Sequence, residues 1–375
     1  MSIRSIAPAS FAAFAALACT PRDTGSPASQ TDASPILETV AESDTMIWNA
    51  VAVESARTFA AGPRWTGSKG PSVAEITGQH SLTPYPDAAW NAWAAGASPE
   101  RAFVNVNALH GDGHGGLWAI DTGAPDFGGN PLPGGAKVVH IEAKTNRVVR
   151  VYTFDARVAL PGSYIDDIRF HGEHAYLTDA GRAGIIVLDL ARGDARRVLD
   201  DAPAVTAPAD RPIVLGGETV KAPDGSPLRV HADPLETSPD GKYLYFAPLS
   251  GPWSRIETRW LDDPNIAGAE IAQHVEPWAD LPPVGGTVMD SQGSLYFTDL
   301  AASAVKRRAP DGSITTIVQD ARLHWVDAPV LDAEGFLLLP TPQMDRMPLF
   351  NGGQNKVSLP VAIYRVPSAG RHSSH

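Results

Sequence analysis

Five side chains of the kind that meet cations stand at equivalent points of a repeated pattern. Asn49, Asn107, Asp166, Asp233 and Asp327 each lead an apolar run that turns and is followed by a second apolar run, and Gly285 holds the same place in one further copy. From Asn49 to Asp327 is five steps over 278 residues, a mean period of about 56, just beyond the blade-sized repeats of closed β architectures. Three carboxylates and two amides brought to one place would suit a hard cation or a protonated amine. Carboxylates that close raise one another's pKa unless a positive group balances them, and Arg169, beside Asp167, is the nearest such group in sequence. Asp166, Asp233 and His231 are the candidate catalytic groups; His231, two residues before Asp233, is placed to carry a proton. Trp325, two residues before Asp327, is placed to stack on an aromatic or cationic ligand, or to pack beneath a loop. Asp and Asn at strand entries also bond neighbouring amides without any ligand, so it is the convergence of several on one axis that makes a site.

Other constellations carry less. His110 and His114 have the spacing of a helical metal pair, but Gly111, Gly113, Gly115 and Gly116 make that segment a strand and turn. His171 and His174 fall in a hairpin turn at the far end of their strands. No Ser-His-Asp order, phosphate loop or zinc-finger spacing stands out.

The elements that must position the ring are strands. Val138–Ile141, Val148–Tyr152, Ile185–Leu188, Ile314–Val318 and Ala362–Val366 are short β-branched runs. Asp224-Gly225, Asp240-Gly241 and Asp311-Gly312 are tight-hairpin pairs. Each repeat holds about four strands, two in the recurring block and then a second hairpin. Six repeats of four antiparallel strands predict an all-β fold, a six-bladed β-propeller. The last repeat lacks a fourth strand, and Ile36–Ala41 is the segment expected to supply it and close the ring. The innermost strand of each blade lines the axis, so the six leading residues should ring one mouth of the channel. Two positions on, Val51, Leu109, Ile168, Leu235, Thr287 and Pro329 should form an apolar collar. The Pro-rich stretch from Pro203 to Pro227 leads into the mouth at Asp233, as a partial lid or a plain crossover.

The propeller is expected over 36–367, with a tail at 368–375. Before it, Arg4 and the apolar stretch Ser5–Ala18 read as a signal peptide over 1–18. Ala16-Leu17-Ala18-Cys19 resembles the lipobox of bacterial lipoproteins, which marks Cys19 for lipidation and leaves 19–35 as a flexible tether. Thr20 after the cysteine leans toward the outer membrane in that pattern. The expected location is outside a bacterial cytoplasm: an outer-membrane lipoprotein, or a periplasmic or extracellular protein, meeting membrane only through that anchor. The formal charge is −12 with the acids scattered, which argues against nucleic acid or an anionic membrane surface as partner. A small-molecule ligand and a monomeric state are expected.

The stretches Leu37–Trp65, Leu82–Asn91, Phe103–Thr122, Tyr164–Arg169, Ala175–Asp189, Pro223–Asp233 and Ser238–Phe246 together resemble the major royal jelly protein/yellow family, in its bacterial dopachrome-tautomerase-related branch. The resemblance runs from about residue 36 to 366. It implies a six-bladed propeller, secretion, binding of biogenic amines in the central channel, and dopachrome conversion as an activity. The ring and its neighbours, Asn49, Asn107, Asp166, Asp167, Arg169, Asp233, Trp325 and Asp327, are the ligand-binding candidates. The chain departs from the family's Asn-Asp and Asp-Gly pairs at Asp166-Asp167, Asp233-Pro234, Gly285-Gly286 and Asp327-Ala328, which implies an altered pocket. More remotely it resembles the gluconolactonase group. There Asn107, Asp166 and Asp233 would hold a divalent cation such as calcium that polarises a lactone carbonyl. In that comparison Asn49 stands where a glutamate is common, and Glu54 falls at the far end of its strand. The classes left open are a ligand-binding propeller, an isomerase or lactonase, and a scaffold for protein partners.

Overall fold

The computed structural model describes residues 37–369. The expected signal peptide, Cys19 and the tether lie outside the described residues, as does the tail from residue 370. The chain divides into residues 1–34 and 35–375, and the fold described here belongs to the second unit.

Six antiparallel four-stranded sheets follow one another along the chain. Their innermost strands are Ala50–Glu54, Val106–Gly111, Ile165–His171, Ala232–Thr237, Val284–Met289 and Val330–Leu331. Each packs beside the next, and Val330–Leu331 lies beside Ala50–Glu54, so the ring is complete. The result is the six-bladed propeller. Its sixth sheet takes Glu38–Ser43 as outer strand, paired antiparallel with Val361–Pro367 from Glu38 opposite Arg365 to Ser43 opposite Val361. The closure expected from Ile36–Ala41 is therefore present, shifted two residues along. Beyond that sheet the Ser368 amide donates to the Gly335 carbonyl at 2.9 Å.

Burial follows position in the sheet. Gly116–Asp121, a second strand flanked by sheets on both faces, is buried at all six residues. Arg147–Thr153, an outer strand, buries only Tyr152 fully. Apolar side chains pack in the seams between successive sheets, as with Val106 and Leu117 against Ala50, Phe59 and Tyr85. The Asp-Gly pairs turn as expected, with Gly241 at φ +70° and Gly312 at φ +89°. Short helical turns at Thr258–Asp262 and Gly268–Ile271, which periodicity did not announce, fill the connection between the last two strands of the fourth blade. Among the described residues no helix is long and apolar enough to cross a membrane.

The inner strands are not straight ladders. In blades 2 to 5 the register slips near the entry, between Val106 and Ala108, Ile165 and Ile168, Ala232 and Leu235, and Val284 and Thr287. A bulge places two successive residues on one face and inverts the alternation after it. Asp166 and Asp167 therefore both face the axis, and Ile168 turns into the seam between blades, fully buried. Leu235 does likewise. This corrects the expected collar: Val51, Leu109, Thr287 and Pro329 line the channel, whereas Arg169 and Glu236 take the places assigned to Ile168 and Leu235.

Candidate ligand-binding site at the channel mouth

One mouth of the channel opens into a cavity of about 460 Å³, within the ~300–1,000 Å³ range of small-molecule sites. Asn49, Asn107, Asp166, Asp233, Gly285 and Asp327 all line it, together with His231 and Trp325. The ring expected from the repeat is therefore assembled. At Gly285 and Gly286 the neighbouring segment Val326–Ala328 lies too close to admit a side chain. A Cβ on Gly285 would stand 2.3 Å from the Val326 carbonyl, and one on Gly286 2.7 Å from the Ala328 nitrogen.

Hydrogen bonds link the floor. Asn49 Nδ2 donates to Asn107 Oδ1 at 2.9 Å, and the Tyr164 hydroxyl donates to the same oxygen at 2.7 Å. Asn107 Nδ2 donates to Asp166 Oδ1. The Asp166 and Asp233 carboxyls lie close enough to titrate as a pair, so that one proton held between them relieves the repulsion of two buried charges. Burial pushes the Asp166 carboxyl up to about 7, with the neighbouring Asp167 charge adding to it. Burial and then the Asp166 charge hold Asp233 well above the carboxylate range, and the same two causes act on Asp327. Asn49, only 2% exposed, leaves its Oδ1 without a hydrogen-bond partner. The floor is thus rich in acceptors and short of positive charge.

Asp167 and Arg169 are placed differently from the expectation that they join this mouth. Both line the opposite cavity, because the bulge at Asp166-Asp167 turns the second aspartate down the channel. There Arg169 makes a side-on pair with Glu236, Nε to Oε2 at 3.0 Å and Nη2 to Oε1 at 2.8 Å. It also donates to Asp167 at 2.7 Å and to the Ile168 and Thr287 carbonyls. Arg169 is spent on that network and does not balance the mouth carboxyls. Glu236 was missed because only the bulge brings it to the axis. His110, beside this network, has its pKa lowered to about 4 by burial and then by Arg169, so it is neutral.

Above the floor stands an aromatic wall that the repeat did not reveal. Trp65 and Phe127 lie 4.8 Å apart between ring centroids, Phe127 and Phe350 meet edge to face at 5.4 Å, and Phe127 reaches Tyr164 at 6.1 Å. Trp65 Nε1 donates to the Tyr164 hydroxyl at 2.9 Å, joining wall to floor. These rings come from loops outside the recurring block, where no spacing marks them. Asp179 fixes one such loop: its carboxylate accepts from the Tyr164, Gly181 and Arg182 amides and pairs with Arg197 at 2.7 Å. Trp325, at φ +52°, an uncommon conformation for an aromatic residue, lines the cavity and packs with Ile213, Val220 and Leu228. Ile213 and Val220, from the segment expected as lid or crossover, thus share an apolar cluster with Trp325, and the residues just after that segment, Leu228 to His231, form part of the cavity wall. His231 Nδ1 accepts from the Ala207 amide at 3.1 Å, and burial lowers the ring's pKa. Its Nε2 then carries the proton of a neutral ring.

The cation set proposed from sequence, Asn107, Asp166 and Asp233, does converge. Asn107 Oδ1 already accepts two donors, however, and its amide nitrogen is the group turned to Asp166. Among the described residues no set of three or more His, Cys, Asp and Glu side chains is spaced to hold a metal ion. Glu54 is at the far end, as expected, accepting from the Gly113 and Gly115 amides at 2.9 and 3.1 Å.

The sequence model described as "Major royal jelly protein" matches residues 104–327, more than half of the chain. None of the curated proteins matches. Among solved structures, a gluconolactonase from Xanthomonas campestris superposes with a TM-score of 0.51 at 13% identity, covering 88% of this chain and 89% of that one. A virginiamycin B lyase from Staphylococcus aureus superposes with a TM-score of 0.47 at 12% identity, covering 88% and 98%. At such identities the likeness to the gluconolactonase is one of fold alone.

Proposed function

The chain belongs to the major royal jelly protein family, and from that premise we propose that the mouth cavity binds a small aromatic compound bearing a protonated amine. One observation carries this reading. An acceptor-rich floor, with the unpartnered Asn49 Oδ1 and three carboxyl groups whose pKa is raised, lies beneath a wall of Trp65, Phe127, Tyr164 and Phe350. An ammonium group supplies the missing charge and the missing donors, and the aromatic faces favour both a cation and a flat apolar body. A bare divalent cation would use the floor and leave the wall idle, and it would compete with the two donors on Asn107 Oδ1.

Calorimetric titration with tryptamine tests the reading. Binding to the wild type, weakened ten- to a hundredfold (about 1.5–3 kcal/mol) by Asp166→Asn, is the expected result. Absence of binding by the wild type would refute it.

A second reading, proton-transfer catalysis on such a ligand, is favoured by the Asp166 carboxyl, whose pKa of about 7 suits a general acid or base at neutral pH. Dopachrome decay measured with wild type and Asp166→Asn tests it. Equal decay rates with the two proteins would leave binding as the whole function.

A further inference from the structure

The cavity is polar in two opposite senses, and the second has no use in binding an amine alone. Arg182 and Arg229, both exposed, line the same cavity as the acidic floor. Of the arginines among the described residues, most are held by carboxylates, carbonyls or hydroxyls, as Arg169 and Arg197 are. The guanidinium groups of Arg182 and Arg229 have no hydrogen bond or ion pair, although carboxyl groups stand in the same cavity. They are not strays from distant surfaces. The His231 amide donates to the Ala180 carbonyl at 2.9 Å, tying the loop that carries Arg182 beside the segment that carries Arg229. The Arg182 backbone is itself fixed by Asp179, and its side chain runs along Gly162, another lining residue. Both arginines depress the His231 pKa, behind burial and the nearby carboxylates, so their charges converge on that ring. His231 Nε2–H adds a neutral donor on the same side.

Resting on the reading of the floor as an ammonium site, we propose that the ligand is a zwitterion, an aromatic α-amino acid or a close relative. Its ammonium group would sit on the Asp166–Asp233 floor and its carboxylate against Arg182 and Arg229. A guanidinium presents a planar fork of donors matched to a carboxylate. Two such cations at the rim would repel a ligand that carries only positive charge, so their presence sets specificity.

Titration calorimetry with tryptophan and tryptamine, which differ only by the carboxylate, tests this on the full chain. Wild type should bind tryptophan about tenfold or more tightly than tryptamine. Arg182→Gln with Arg229→Gln should abolish that preference, and tryptamine binding should hold or tighten as two like charges leave the rim. Arg182→Lys with Arg229→Lys, which keeps the charge and loses the fork, should retain part of it. Both arginines are exposed, so the variants should fold, as a thermal melt would check. If tryptamine binds as well as tryptophan, or the preference survives the double glutamine variant, the zwitterion proposal falls while the ammonium site stands. If neither compound binds, both fall together.

Discussion

Arg169 and Glu236, 67 residues apart in the chain, meet side-on across the propeller axis with both nitrogen–oxygen distances at or below 3.0 Å. The pair, with Asp167 and Thr287, lies below the acidic floor and ties the third, fourth and fifth blades. Glu236 is 4% exposed and Arg169 8%. Removing Glu236 takes two charge-assisted hydrogen bonds from a buried guanidinium and leaves it with Asp167 as its remaining carboxylate. Glu236→Ala is therefore expected to lower stability by about 3–5 kcal/mol in urea unfolding. A loss below about 1 kcal/mol would show that water reaches the network freely.

Stability without ligand should fall as pH rises from about 4 to about 7. The Asp166 carboxyl has its folded pKa raised from 3.8 to about 7, so within that window the folded state holds a proton that the unfolded state has released. The stabilisation is complete below the unfolded pKa and is lost on passing the folded one. Asp166→Asn should flatten this slope and, at pH 8, raise stability by about 1–3 kcal/mol. Thermal melts across pH would check it, and a slope that survives the substitution would assign the effect to other groups.

Amine binding should run the other way with pH. A protonated amine favours an ionised floor, so tryptamine affinity should increase between pH 5 and pH 8, the range through which Asp166 deprotonates. Calorimetry in buffers of different ionisation enthalpy should also register proton release on binding. Affinity independent of pH would mean that the carboxyl pair takes no part.

Phe127→Leu keeps apolar bulk and removes the ring that contacts Trp65, Tyr164 and Phe350. Tryptamine binding should weaken by about 0.5–2 kcal/mol, with little change in melting temperature. An unchanged affinity would reduce the aromatic wall to packing.

Calcium offers a separate check on the floor. Its effect on the melting temperature should be smaller than that of tryptamine, since Asn107 Oδ1 is engaged by Asn49 and Tyr164. A calcium shift larger than the amine's, and lost in Asp233→Asn, would favour a metal-dependent hydrolase instead.

Much of this was written into the chain. The repeat led to six sheets, the spare strand at the beginning led to closure, and the residues leading each block do ring one cavity. What the repeat hid has physical causes. A bulge leaves no mark in hydrophobic alternation until two polar residues occur together, and Asp166-Asp167 was the visible sign of one. Read with strict alternation, it misassigned Ile168 and Leu235 by one position each. Glu236 was invisible for the same reason. Trp65, Phe127 and Phe350 come from connections of unequal length, where nothing in the spacing says which rings will turn inward. Arg182 and Arg229 became meaningful only once a main-chain bond joined their loops.

The outer strand of the sixth sheet comes from the opposite end of the polymer, with Glu38 opposite Arg365. The cavity is therefore a property of the finished circle: it needs contributions from Asn49 through Phe350, and the circle is latched only when Val361–Pro367 finds Glu38–Ser43. A ribosome-bound or truncated chain has the floor residues but no hub to hold them. Ligand capture should thus come last in folding, and a molecule that occupies the hub would act as a clasp, slowing the release of a strand it never touches.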